Sequence, residues 1–443
     1  MTISAGTGNI AITDAVAGND LTVNTGAGNI TLARGTASNG DSLLKTSAGT
    51  IVISDKLKSA LTTIVEATLG ITARNIESGD KTRVKNVNGL IDIENILTTK
   101  VGADIEVTNT VSGGIDITDA NAARDLLVST PNGSINLATG RSGSSTNLNS
   151  GLGDVTLTTL NAGANVDIAA GKGAITGATI NAGQNMTITD GEGNISLTSV
   201  TAGNDMTLTA VNGDTTINNA VAGHDLTMTT TVGNTTISSA EAGNNIAMTS
   251  VTGNHTIVSA AAANDMTISA GTGNIAIADA VAGNDLTVNT DAGNFTLARG
   301  TASNGDSLVK TSAGTIVISD KLKSALTTIV EATLGITAQN IESGDRATVS
   351  NVNGLIDIEN ILTTKAGADI AVTNTVSGDI DLTNAEAARD LLVSTPNGSI
   401  NLVTGRSGSS TNINSGLGDV TVTTLNAGTD VAVTTGKGAI SGG

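Results

Sequence analysis

The residues with the most obvious capacity for chemistry are carboxylates that recur at one place in a repeat. Asp205, Asp225, Asp265 and Asp285 share that place, with Asn245 filling the gap, and Asp104 and Asp125 take it in earlier units. Carboxylates stacked on neighbouring turns repel one another, and a hard cation such as Ca²⁺ would relieve this with the oxygen ligands it favours. The competing reading is an Asx turn in which each side chain caps its own corner amides. That reading is preferred, because Asn substitutes freely and the Gly-Gly-x-Gly-x-Asp nonapeptide of calcium-binding β-rolls is absent. No cofactor is therefore expected, and Ca²⁺ at these six positions is the alternative.

Other chemistries find less support. The two histidines, His224 and His255, fall at different places in the repeat and form neither an i, i+4 pair nor a triad, so no metal or nucleophilic site is expected on them. His255 follows Thr215 and Thr235 in a nominally inward column, which implies either an internal polar stack or a register shift that turns these residues outward. Thr187, Thr189, Thr207, Thr209, Thr227 and Thr229 form an outward threonine ladder of the kind that orders water in ice-binding solenoids. Ala247, Asn289 and Glu106 interrupt it, and threonine is a favoured residue on any pleated surface. The charged run Asp80 to Lys85 is not kept in a second copy, where Thr348 and Ser350 replace Arg83 and Lys85, and it reads as solvated surface. The longest insertion is three residues, leaving no loops to build a cleft that holds catalytic groups, so no enzyme is expected.

The elements that must carry these residues are constrained by composition. The chain has 443 residues, with 54 Gly, 2 Pro, one Phe and no Cys, Trp or Tyr. Without rings there is nothing to stack on bases or sugars, and a formal charge of −19 repels phosphate backbones and anionic lipids. Neither nucleic acid as a partner nor membrane insertion by this segment is expected. Absent cysteine removes disulfides and thiolate metal sites without fixing a compartment. Residues 1 to 30 show no basic segment followed by an apolar one, and no 18 apolar residues run together, so this segment is expected neither to target nor to span.

Self-similarity supplies the organisation. Ala182 to Thr201, Ala202 to Val221, Ala222 to Glu241, Ala242 to Ala261 and Ala262 to Val281 superimpose without gaps at a period of 20 residues. Counting from that alanine, positions 2 and 12 are usually Gly, 3, 4 and 13 Asn- or Asp-like, and 5, 7, 14 and 16 usually aliphatic. Each unit reads turn, strand, turn, strand, with period-two alternation inside the strands. A longer period lies above this: residues 1–177 align with 266–442 at an offset of 265 and differ at 25 positions. The offset contains two 21-residue units, Ala37 to Leu57 and Val101 to Asn121, and a three-residue insertion, Thr98 to Lys100, that returns as Thr363 to Lys365.

A 20-residue unit cannot bury its own apolar face, so units must stack into continuous parallel sheets. The expected fold is all-β: a parallel β-helix (β-solenoid), right-handed, of about 22 coils, running as one continuous solenoid over 1–443, with 1–265 a first copy and 266–443 a partial second. At strand spacing the rod would be roughly 100 Å long. Inward files are expected at Met186, Met206, Leu226 and Ile246, at Ile188, Leu208, Met228 and Met248, and at Leu197, Ile217, Ile237 and Ile257, with small Ala220, Ala222 and Ala240 beside them. Corner Gly and Asn are expected to supply left-handed backbone. Lys56 to Arg74 could be read at helical spacing, but the unit count runs through it.

Phrases such as Ala27-Gly28-Asn29-Ile30-Thr31-Leu32, Ala17-Gly18-Asn19-Asp20-Leu21-Thr22-Val23 and Gly193-Asn194-Ile195-Ser196-Leu197 resemble the repeats of filamentous-haemagglutinin-type exoproteins and other large bacterial β-strand-repeat adhesins. That resemblance implies a right-handed β-helix, export, and a role in surface display or attachment. The resulting expectation is a structural segment of a longer secreted or cell-surface fibre. It would lie outside the cell and partner copies of itself laterally or end to end, with an adhesin stalk that binds cell-surface ligands as the alternative.

Overall fold

The chain alternates inward and outward side chains within short runs bounded by Gly, Asn and Asp, and this pattern folds as strands throughout. The computed structural model describes residues 1–442. The chain divides into two compact units, Met1–Gly223 and His224–Gly443. Both are built from coils of two strands, giving a parallel β-solenoid of about 22 coils with about 20 residues per turn and no helix among the described residues.

Each strand pairs in parallel with its equivalent one coil on. Met186 lies against Met206 and Ile188 against Leu208. In the second strand, Ile195 lies against Thr215 and Leu197 against Ile217. The expected inward files are buried, including Met228, Ile237, Ile246 and Met248. Stacking thus does for each coil what its own 20 residues cannot: it covers both sides of an apolar layer.

The longer strand turns a corner. Pairing passes over one residue between Leu197↔Ile217 and Ser199↔Asn219, and the inward parity shifts there. Ala220 and Ala222 consequently face inward on a third side, where small side chains let the sides approach. Where a leucine enters this file, a glycine sits opposite it on the adjacent coil. Gly35 pairs with Leu57 and Gly140 with Leu160, and a Cβ added at Gly140 would lie 2.7 Å from Leu160 Cδ1.

The segment from Lys56 to Arg74 lies in strands Thr50–Ser59, Thr63–Ala67 and Gly70–Ser78. The extra residue of the first 21-residue unit is a bulge: Leu32 pairs with Ile53, but Arg34 pairs with Lys56. The insertion after Thr98 forms a turn in which the Ala103 amide donates to the Lys100 carbonyl and Gly102 takes φ +84°. Gly367, its equivalent, takes φ +82°, a region in which a side chain would strain the backbone.

The expectation that corner Gly and Asn supply left-handed backbone holds for some of the glycines and not for Asn. Among the described residues none other than glycine has positive φ; at position 12 Gly213, Gly233 and Gly253 take φ +151°, +138° and +144°, whereas Gly183 and Gly203 at position 2 do not. What the position-2 glycines provide is proximity. A Cβ on Gly203 would sit 2.2 Å from the carbonyl oxygen of Gly183, and one on Gly183 would sit 2.2 Å from that of Gly163. This position-2 glycine file is required by the backbone of the adjacent coil, a demand of stacking and not of turning.

Candidate functional site

The carboxylates singled out as cation candidates form a hydrogen-bonded ladder. The Asn245 amide donates to Asp225 Oδ1 at 3.1 Å, Asp265 to Asn245 Oδ1 at 3.1 Å, Asp285 to Asp265 Oδ1 at 3.2 Å, and Asp306 to Asp285 Oδ1 at 2.8 Å. Asp125 donates to Asp104 Oδ1 and Ser145 to Asp125 Oδ1, while Asp205 Oδ2 accepts from Asn204 Nδ2. The Asx turn is therefore corrected in one respect: the side chains of Asp104, Asp125, Asp225, Asn245, Asp265 and Asp285 each cap an amide of the next coil, not of their own corner. One acceptor oxygen suffices for that, which is why Asn and Asp interchange. A second ladder runs at position 13, where Asn274 and Asn294 donate to the oxygens of Asn254 and Asn274, each at 2.8 Å. Arg124 adds a bidentate pair on Asp104, at 2.7 and 2.5 Å, and these bonds raise the pKa of its guanidinium.

The two histidines lie in unlike surroundings. His224 is exposed at a corner with Nδ1 3.2 Å from Asp225 Oδ2. His255 is buried like Thr215 and Thr235, so their column faces inward, and its Nε2 lies 3.0 Å from the Ser269 carbonyl oxygen. Burial depresses the His255 pKa, opposed by the bond to Ser269. Because the folded value lies below the unfolded one, the neutral ring contributes stability above the unfolded pKa of about 6.5 that is lost as pH falls toward the folded value. Thermal melts at pH 7.5 and pH 5 should show a larger acid-induced drop for the parent than for His255→Thr, which places the residue of the preceding coil at this site. Equal drops would count against the assignment.

Two inward polar features are silent in the hydrophobic pattern, because both occupy position 9. Asn86 and Asn109 stack with Asn86 Nδ2 donating to Asn109 Oδ1 at 3.0 Å, while Asn109 Nδ2 reaches the carbonyls of Gly113 and Gly114. Asn351 and Asn374 repeat the arrangement. Asp190 is the other feature: it is fully buried, accepts from the Gly193 amide at 2.8 Å through Oδ1, and leaves Oδ2 without a hydrogen bond. At the equivalent position, the Ser150 hydroxyl bonds the carbonyls of Gly133 and Gly153. An ionised carboxylate has no proton to offer them.

Burial accordingly pushes the Asp190 pKa up, with the Gly193 amide opposing. A raised folded pKa means that its contribution is intact below the unfolded value of about 4 and is lost as pH rises through the folded value. Asp190→Ser should therefore stabilise the chain by about 1–2 kcal/mol at pH 7 and by less at pH 4, measured by denaturant melts. A variant less stable than the parent at pH 7 would overturn this reading.

Outward charges are mostly paired between coils. Glu77 receives both Lys56 and Lys58; burial would raise its pKa, but the two lysine hydrogen bonds hold it below the usual range. Glu342 repeats this with Lys321 and Lys323. The run Asp80 to Lys85 is tied in the same way: Lys100 to Asp80 at 2.9 Å, and Lys81 and Arg83 to Glu106 at 3.1 and 3.7 Å. In the second copy Arg83 and Glu106 are replaced together, by Thr348 and Ala371. The bulge at Ser54 opens a groove of about 420 Å³ lined by Arg74, Asp92 and Glu94, which recurs around Ser319 with Gln339, Asp357 and Glu359. Burial and then the neighbouring Asp92 raise the pKa of Asp116 beside it.

Ladders, files and paired charges define a class of protein: a β-solenoid whose polar groups serve coil-to-coil contact. A family model, Toastrack DUF4097, matches residues 114–263. This corrects the expected kinship with filamentous-haemagglutinin-type adhesins, since the family whose model matches that stretch is a β-solenoid family of unknown function. No curated protein and no solved structure matched. No helix among the described residues is long and apolar enough to cross a membrane.

Proposed function

We propose that this chain is a structural segment of a longer secreted or cell-surface fibre, which sets distance and assembles with copies of itself side by side or end to end. The observation that carries this reading is the use of polar groups. Of the side chains best suited to chemistry, Asp104, Asp125, Asp225, Asp265 and Asp285 are engaged in capping amides of the next coil. A surface built by repeating one coil offers equivalent contacts at regular intervals, which suits self-association better than the binding of a single small molecule. A chain without thiols is also compatible with an oxidising exterior.

Electron microscopy and sedimentation of the purified chain over a range of concentrations test the proposal. Paired or bundled particles that grow with concentration are expected. Single unassociated chains at every concentration would overturn it.

A further inference from the structure

One corner of the solenoid carries an aliphatic strip. Leu69, Leu90 and Val111, on three successive coils, are exposed by 57, 46 and 48 %, and Leu334, Leu355 and Val376 repeat the strip in the second copy at 57, 43 and 50 %. Isolated exposed aliphatics are ordinary, but these three share one corner of successive coils, offset along it so that Leu90 is level with Gly114 and Val111 falls between the pairs Asn109↔Asn86 and Ser112↔Asn88, and the group returns with the 265-residue period, which makes the corner a candidate contact surface.

The flanks of this strip carry opposite charge. On the shorter-strand side, Lys45, Lys81, Arg83 and Lys85 outnumber Glu66 and Glu106, and Lys85 lies two residues before the corner residue Val87. On the longer-strand side, Asp92, Asp116 and Glu94 outnumber Arg74, and Asp92 lies two residues past Leu90 with Asp116 directly beside it. The second copy keeps both signs: Lys310 and Arg346 against Glu331 on one flank, and Asp357, Glu359 and Asp381 on the other.

From this juxtaposition we infer that a second copy of this chain docks here, corner to corner, with its coils running in the same direction. The inference rests on the self-assembly proposed above and names its seam. Two identical solenoids can bring this corner together in two ways. A two-fold axis parallel to the coil stack sets the cationic flank of each against the anionic flank of the other at the same level. An axis across the stack sets cation against cation and carboxylate against carboxylate. Only the parallel pair is complementary. The formal charge of −19 sharpens the point, since two copies repel at long range and associate only where the local charge has the opposite sign.

The test uses the full chain in sedimentation equilibrium, with far-UV circular dichroism as the check on folding. Replacing Leu69, Leu90, Leu334 and Leu355 by lysine should leave the spectrum unchanged and weaken association at least about tenfold. Lys85→Glu alone and Asp92→Lys alone should each weaken it, whereas the double variant, in which each new charge again faces its opposite, should recover it. Because the parent has no cysteine, Leu69→Cys reports orientation: a parallel pair places the residue beside its own copy and yields a disulfide-linked dimer on mild oxidation. Association that survives the four lysines, or a double charge variant no better than the singles, overturns the seam while self-assembly stands. A parent that never associates overturns both.

Discussion

Gly203→Ala should cost about 3 kcal/mol or more, an unusually large loss for a single added methyl group on a surface corner. The added Cβ would lie 2.2 Å from the carbonyl oxygen of Gly183 and 2.9 Å from its carbonyl carbon. Both are backbone atoms held in the parallel ladder, so they cannot swing aside as a side chain would. Gly114 is the control. A Cβ there would come no nearer than 3.5 Å to Leu90 Cδ1 and to the Ser134 carbonyl oxygen, and the second copy carries Asp379 in its place. Gly114→Ala should leave stability within about 0.5 kcal/mol of the parent in urea melts. Similar costs at the two positions would mean that local turn geometry, and not the coil beneath, dictates glycine.

Phe295→Ala should lose about 3–5 kcal/mol, while Phe295→Ile should stay within about 1.5 kcal/mol. Phe295 is fully buried between Ile275 and Ile316, and its equivalent in the first copy, Ile30, is fully buried between Ile10 and Ile51. The protein thus already contains both solutions for this site. In the next coil Val309 stands where the first copy has Leu44, so two inward exchanges in adjacent coils change volume in opposite directions. Chemical denaturation of the two variants checks this. An isoleucine variant as unstable as the alanine one would show that the second copy has repacked around its ring.

The inward files at Ile188, Leu208, Ile217 and Ile237 were legible because side-chain direction in a strand alternates strictly and the 20-residue period repeats it. The strand character of Lys56 to Arg74 was legible for the same reason: the unit count outweighed a local helical spacing. The glycine file was legible as a pattern but not in its cause, since a sequence shows that a side chain is missing and not which atom would have met it. Asp190, Asn86 and Asn109 escaped notice because hydrophobic periodicity does not register a polar residue at an inward position. The pairing of each corner amide with the Asx oxygen of the preceding coil was hidden too, because it links residues 20 apart whose contact exists only once register is set. Kinship was the least legible feature. Gly-Asn-aliphatic-Thr phrases answer to the physics of stacked coils and recur wherever that physics applies, so they pointed to the wrong family while pointing to the right fold.

The in-register stacking of coils, on which all of this depends, can be measured in a chain that has no cysteine of its own. Thr187 pairs directly with Thr207, and both lie outside the apolar layer. At a strand spacing of about 4.8 Å the pair Thr187→Cys with Thr207→Cys falls within disulfide reach, whereas Thr187→Cys with Thr209→Cys lies about 8 Å apart on the diagonal, beyond it. Oxidation at low protein concentration should close an intramolecular disulfide in the first pair and not in the second. Closure in the second pair alone, or in neither, would contradict the stacked register.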